Sequence, residues 1–371
     1  MKRIILAVIN DIATDQRLYR MAGSLAKSGA EITLAGRILR GSPEIQGLPF
    51  RIVRFRLPVN KGFLFYGIYN IRLFFYLLLN RYDIIVSNDL DTLPACFFAS
   101  VFSKSKLVFD SHELFTEVPE LEGRQLVKKT WLFLERMILP RVKHAITVSD
   151  SVAKEYEKRY NIEMTVIRNL PLTRETGIPK IPELEKITNR IILYQGAVNK
   201  GRGLERLTEA MAYLKDYYLI IAGDGDIMQE LKERVHNLEL TKQVIFTGRL
   251  LPDELKKYTA YATIGVSLEE SYSLNYYYSL PNKLFSYIHA GVPCLVSPFP
   301  EMQKIIEQYD VGKVSGAKNP EELANELSNM LKDKTAHAAW KQNCLKARKL
   351  LCWEKEEEKV FKVYNQLGLN F

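Results

Sequence analysis

Residues 190–204 read RIILYQGAVNKGRGL. A short apolar run ends in a turn holding Gly196, Gly201 and Gly203, and a helix-compatible stretch opens at Leu204. Glycines let backbone amides approach a ligand, a helix N-terminus favours negative charge, and Lys200 and Arg202 add formal positive charge. The stretch therefore has the make-up of an anion site at a strand-to-helix turn. The same letters also describe a plain tight turn, so the reading needs support from elsewhere in the chain.

Two further stretches supply it. Residues 220–226, IIAGDGD, end a second apolar run with Gly223 and Gly225 around Asp224, and a helix is expected from about Ile227. The third glycine of a dinucleotide fingerprint is missing, which excludes that motif. Residues 280–297, LPNKLFSYIHAGVPCLVS, place Pro281 at a helix start, Lys283 in its first turn and Gly291 at its end, before a buried strand. A first-turn lysine opposes the helix dipole, and a bound phosphate would give it a reason to be there.

Outward from these stretches, short Ile/Val/Leu runs alternate with longer amphipathic ones, the pattern of parallel sheets built from strand-helix-strand units. Strands are expected at 3–9, 31–35, 52–56, 83–87, 106–109, 145–148 and 165–167. A second series is expected at 190–194, 218–222, 244–247, 263–267 and 294–297, with a short one near Gly312. The fold class is α/β with two Rossmann-like domains, since 371 residues exceed the roughly 250 that one core holds. The first domain spans 1–170. A connection rich in proline and charge covers 171–189, the second domain 190–352, and a C-terminal helix 353–371, whose stripe of Val360, Val363, Tyr364 and Leu367 is expected to pack back toward the first domain.

Composition narrows the classes. Hydrophobic residues at 47% and charged ones at 26% exclude disorder, and a net charge of +9 favours anionic partners without choosing among phosphates, anionic lipids and nucleic acid. The positive charge is scattered and no nucleic-acid module is present, so nucleic acid is not expected as a partner. Cys96, Cys294, Cys344 and Cys352 show no zinc or CxxC spacing, which points to a reduced, cytoplasmic setting. The N-terminal apolar run stops at Asn10-Asp11, too short for a signal peptide, and reads as the first strand. Phe63 to Leu79 is the most hydrophobic helix candidate. With Asn70 and Arg72 in its middle it falls short of the roughly 20 apolar residues of a spanning helix. Two readings of 61–81 stay open: a buried helix, and an interfacial helix on an anionic membrane.

The three glycine- and lysine-bearing stretches, in this order and spacing, resemble the second domain of family 4 glycosyltransferases. Their fold, GT-B, has two Rossmann-like domains with parallel sheets facing a central cleft. The resemblance covers most of Arg190 to Gln366. It implies a nucleotide-diphosphate sugar as donor, bound against the second domain with no metal or other cofactor, transfer to a glycan acceptor, and retention of anomeric configuration. The basic balance and the aromatic Phe63 to Leu79 segment add the expectation of a lipid-linked acceptor, met at the inner face of the cytoplasmic membrane. Arg202 and Lys283 would hold the diphosphate and stabilise charge as it leaves. The family carries two glutamates seven residues apart. Ser267-Leu268-Glu269-Glu270 matches the strand end bearing the first, taken here as Glu270, while Ser286 stands in place of the second and the intervening loop is longer. The donor set implied is Gly196, Gly203, Gly223, Asp224, Gly225, Asn282, Leu284 and Ser286. Tyr276 to Tyr278 is read either as pocket lining or as a packed or surface turn.

In the first domain, Asp15 and Arg17 follow the first strand. Polar groups at carboxyl ends of strands face ligands in open α/β sheets, so both are acceptor or phosphate contacts by position; Thr14 or Asp15 as a plain helix cap is the other reading. His112 resembles the histidine that many members carry after a comparable strand, contacting donor sugar or acceptor, and Glu113 beside it joins the acceptor candidates. Asp89-Leu90-Asp91 mimics the metal-binding Asp-x-Asp of the other glycosyltransferase fold, but that fold leaves the residues beyond Arg190 unexplained. Two rival readings share the architecture: a nucleotide-sugar 2-epimerase, and a degenerate scaffold or binding protein that has lost the second glutamate. Arg202, Lys283 and Glu270 argue against the scaffold.

Overall fold

A computed structural model describes residues 1–173, 181–187 and 190–371. They fall into two compact units, one of Met1–Asn169 with Trp353–Phe371, the other of Leu170–Cys352. Residues 174–180 and 188–189 of the expected connection lie outside the described residues. Its short helix Pro182–Glu185 carries Leu184, which is buried in the core of the second unit.

The first unit holds seven strands: β1 Arg3–Asp11, β2 Glu31–Ile38, β3 Arg51–Arg56, β4 Ile84–Asn88, β5 Lys106–Ser111, β6 His144–Thr147 and β7 Thr165–Val166. They pair in the order β3-β2-β1-β4-β5-β6-β7, parallel throughout. The second unit holds β8 Ile191–Gln195, β9 Tyr218–Ala222, β10 Val244–Gly248, β11 Ile264–Ser267, β12 Cys294–Val296 and β13 Gly312–Val314. Their order is β10-β9-β8-β11-β12-β13, again all parallel. Every strand expected from the sequence is present. The reason is physical: parallel strands are covered on both faces, so they must be apolar at consecutive positions, as Ile4 to Ile9 are, none more than 5% exposed.

In each sheet the strand order reverses beside the first strand of the unit, between β1 and β4 and between β8 and β11. Such switch points leave a crevice at the strands' carboxyl ends, where open α/β sheets bind ligands. On one face of the first sheet, helix α1 (Gln16–Ala26) buries Leu18, Met21 and Leu25 together with Trp353, Val360 and Tyr364 of the helix Trp353–Asn365. Ser24 ties the two helices, donating to Glu357 at 2.7 Å and accepting from Trp353 Nε1 at 3.0 Å. On the other face lie α2 (Gly62–Leu79) and α3 (Leu93–Ser103), with Tyr69, Leu73 and Leu77 of α2 packed on Ile5, Ala7 and Ile85. Asn70, the polar break in that apolar helix, donates to Asp91 O at 2.8 Å and accepts from Ala95 N at 3.1 Å, fastening α2 to the loop after β4 and to the first turn of α3.

Candidate active site

In the second unit the turn after β8 and the turn after β9 are laced together. Gly196 N donates to Ala222 O at 3.0 Å and Val198 N to Asp224 O at 3.0 Å. The approach is so close that a Cβ on Gly223 would sit 1.8 Å from Gly196 O. Gly203 has φ 70°, and a Cβ there would meet Leu268 O at 2.1 Å, so no other residue brings the helix Leu204–Ala210 this near the end of β11. Arg202 is thereby delivered beside Glu269.

Glu269 gathers the charged groups around it. Its Oε1 accepts from Lys283 Nζ at 2.7 Å and from Arg202 Nη1 at 3.5 Å, and its Oε2 accepts from Ser267 Oγ at 2.7 Å. The carboxylate is 1% exposed. Burial alone would raise its pKa, but Lys283 and Arg202 outweigh burial and hold it below the usual carboxylate range. Lys283 Nζ lies 4.1 Å from the Tyr194 ring centre and Arg202 Cζ 4.2 Å from that of Tyr276, so both cations rest on aromatic faces. Arg202 Nε is buried with no hydrogen-bond partner. Two cations share one carboxylate, leaving a positive excess and free donor capacity at the switch point, which is what a diphosphate needs.

The remaining donor candidates scatter. Gly196, Asp224 and Asn282 are exposed at the ends of the same strands and at the start of the helix Asn282–Ala290. Gly225 N closes on Asp224 Oδ1 at 2.9 Å. Ser286 bonds back to Asn282 O at 3.2 Å within its own helix. Leu284 requires correction: it is fully buried in the apolar core of the unit, because its position in the first turn faces the sheet, and its side chain cannot meet a donor. Glu270 is exposed and its backbone N bonds Gly201 O at 2.8 Å; the glutamate brought to Arg202 and Lys283 is its neighbour. The sequence carried a signal for this. Residues two apart on extended chain share a face, and Glu269 stands two beyond Ser267, whose hydroxyl it accepts.

The first unit gathers a second charged cluster at the carboxyl ends of β4 and β5. Asp89 adopts φ 62°, a left-handed conformation that costs a non-glycine residue energy. In return its Oδ1 accepts from His112 N at 2.7 Å, and its Oδ2 lies 3.3 Å from His112 Nδ1. His112 Nε2 is 3.5 Å from Asp110 Oδ2. Burial disfavours the imidazolium, but Asp89 and then Asp110 outweigh it and push the pKa of His112 up to about 9. Asp91 is buried, and its Oδ1 has no hydrogen-bond partner. Burial, followed by the charges of Asp89 and Glu113, holds it well above the ordinary value. The Asp89 carboxylate is turned to His112.

Arg17 also requires correction. It is 3% exposed and grips Asp110 with Nε at 3.2 Å and Nη2 at 2.7 Å, while Nη1 donates to Ile167 O at 2.9 Å. With its guanidinium held in this way it is a buried clamp on Asp110 rather than an acceptor contact. Asp15 caps α1, accepting from Leu18 N at 2.9 Å. Glu113 stands beside His112, and its carbonyl accepts from Ser111 Oγ at 2.8 Å.

Two family models match the chain: Glycosyltransferase Family 4 over residues 15–170 and Glycosyl transferases group 1 over residues 179–347. A curated relative, GalNAc-alpha-(1->4)-GalNAc-alpha-(1->3)-diNAcBac-PP-undecaprenol alpha-1,4-N-acetyl-D-galactosaminyltransferase of Campylobacter jejuni, is 27% identical over 46% of this chain and 45% of its own. The chain spans less than half the length of that relative and of two others it matches. Among solved structures, sucrose-phosphate synthase from Thermosynechococcus elongatus superposes with TM-score 0.82 at 18% identity, covering 99% of each chain. Anabaena HepE in complex with UDP-glucose superposes with TM-score 0.75 at 15% identity, covering 99% of this chain and 100% of that one. These likenesses show the fold.

Proposed function

Because the chain belongs to the family 4 glycosyltransferases of the GT-B fold, we propose that it moves a sugar from a nucleotide-diphosphate sugar to a glycan or lipid-linked acceptor, with retention of configuration and without a metal. The observation that carries this reading is the pairing of Arg202 and Lys283 on the buried Glu269 at the switch point of the second unit. The diphosphate binds between the two cations. As the bond from the anomeric carbon to the phosphate oxygen breaks, Arg202 and Lys283 take up the charge a metal would otherwise neutralise. The acceptor oxygen bonds to the same face of that carbon, and its proton passes to the departing phosphate oxygen.

His112, held as a cation by Asp89 and Asp110, is the proposed contact of the first unit with donor sugar or acceptor, and Glu113 and Asp15 remain acceptor candidates. Supporting the donor class, the Anabaena neighbour is complexed with UDP-glucose; supporting a lipid-linked acceptor, the Campylobacter relative bears an undecaprenol-linked glycan in its name. Four buried, unpaired cysteines fit the proposed cytoplasmic setting.

The test is a thermal-shift and calorimetric screen against UDP, GDP, CMP and their sugars, in chelator and again in manganese. Stabilisation by one nucleotide diphosphate in chelator is expected. Stabilisation only with manganese would move the site to Asp89 and Asp91, and none under either condition would sink the reading.

A further inference from the structure

Helix α2 is apolar on two sides. Phe65, Tyr69, Leu73 and Leu77 lie in the core, whereas Leu64, Ile71, Phe75 and Leu79 are 57–82% exposed along a stripe at i, i+7, i+11 and i+15. Burial of the first set explains the helix; it leaves the second set unexplained. Nor does the helix span a membrane, because its inner stripe is committed to the sheet.

Its neighbours extend the exposed stripe. The ring of Phe102 on α3 lies 6.0 Å from that of Phe74 on α2, and α3 adds the exposed pair Val101 and Phe102. Helix α4 (Gln125–Ile138) meets α2 through Trp131 and Tyr66, rings 5.2 Å apart, and adds Leu126 and Phe133 at 82% and 65% exposure. Among the described residues, eleven of the twenty-two exposed large hydrophobic side chains sit on these three helices, which form little more than a tenth of the chain. Such concentration marks a partner surface, since scattered single residues are the ordinary case.

Charge identifies the partner. Across residues 61–81, 92–109 and 124–143 there are eleven Lys or Arg and one acidic residue, Glu135, which is buried against Thr116 and Tyr160. At the C-terminal ends of α2 and α3 a cavity of about 700 Å³ is lined by five cations, Lys2, Arg3, Arg81, Lys104 and Lys106, against the single carboxylate of Asp83, with Leu78 and Phe102 among its apolar residues. A second copy of this face would oppose cation to cation. A bilayer with anionic headgroups offers acyl chains to the ridge and phosphates to its rim.

The geometry points to an anionic lipid bilayer as the partner of the α2-α3-α4 face, the apolar ridge lying in the interface and the basic cavity taking a lipid phosphate. This goes beyond the transfer reading and stands without it. The experiment is flotation of the full chain with vesicles of phosphatidylcholine, alone or mixed with phosphatidylglycerol, at low and high salt. Binding should rise about tenfold with the anionic lipid and fall with salt. The triple variant Phe75→Ser, Phe102→Ser, Phe133→Ser alters exposed side chains only, so its melting temperature should hold while binding is lost; Arg81→Ala with Lys104→Ala should erase the preference for phosphatidylglycerol. Recovery in the soluble fraction with both vesicles, equal binding by the triple variant, or self-association that this variant abolishes in the absence of any vesicle binding would overturn the proposal. Calorimetry with nucleotide diphosphates in the absence of vesicles reads the donor site separately, so failure of either reading leaves the other assessable.

Discussion

Lys283 Nζ and Glu269 Oε1 lie 2.7 Å apart with both side chains under one-tenth exposed, and Arg202 reaches the same carboxylate oxygen from the other side. A carboxylate so placed does not serve as a free base. It positions two cations, and its depressed pKa, the product of Lys283 and Arg202 outweighing burial, keeps it ionised in that role.

Lys283→Ala should therefore lower transfer by about 10²–10³, the loss typical of one preorganised donor at a charge-developing oxygen. Single-turnover rates at saturating donor, alongside melting temperature, separate lost chemistry from lost fold. Arg202→Ala should behave alike, and near-normal turnover in either variant would remove the cation pair from the mechanism.

The sequence made the sheets legible because covered parallel strands have no polar face, so runs such as Ile84 to Val86 and Ile220 to Ala222 announce themselves. The glycine turns were legible for a similar reason: Gly203 and Gly223 answer to backbone packing that tolerates no Cβ. Long-range pairing was not legible. Arg17 and Asp110 are 93 residues apart in the chain, and nothing local to Arg17 says that it turns inward. The choice between Glu269 and Glu270 hung on the direction the chain takes as it leaves β11, one residue of phase that a family pattern does not resolve. The second apolar stripe of α2 was hidden in plain composition, since an all-round apolar helix has no moment from which to read its faces.

The Arg17–Asp110 pair is buried at both ends. Removing one partner strands a charge, so Arg17→Ala should cost about 3–5 kcal/mol in urea unfolding, while the paired replacement Arg17→Met with Asp110→Leu should cost much less. The pair also sets an acid limit. Burial opposes ionisation of Asp110, but Arg17 and His112 depress its pKa from 3.8 to about 2. The stabilisation it gives is therefore present above 3.8 and disappears as pH falls toward about 2. Denaturation midpoints compared between pH 5 and pH 2 should fall more steeply in the native chain than in the double variant; parallel slopes would contradict the depressed value.

His112 moves in the opposite direction. Its pKa is raised from 6.5 to about 9, so the stability its charge contributes is complete below 6.5 and is lost as pH rises through about 9. The native chain should be more stable than His112→Gln at pH 6, and that advantage should shrink by pH 10. Titration of the imidazole by NMR checks the same point, and a midpoint near the ordinary histidine value would show that Asp89 and Asp110 do not hold the cation.

Gly203 and Gly29 provide a matched pair of tests, because both sit at left-handed φ, 70° and 75°, yet only Gly203 is hemmed in. Gly29→Ala meets nothing within 4 Å and should cost only the conformational strain of about 1–2 kcal/mol. Gly203→Ala adds a clash with the Leu268 carbonyl at 2.1 Å, so the helix Leu204–Ala210 must retreat from β11 and take Arg202 with it. The cost should reach about 3 kcal/mol or more, and affinity for a nucleotide diphosphate should fall along with stability. Equal losses for the two variants, or unchanged nucleotide affinity in Gly203→Ala, would mean that the close approach of the turn to β11 is not what delivers Arg202 to Glu269.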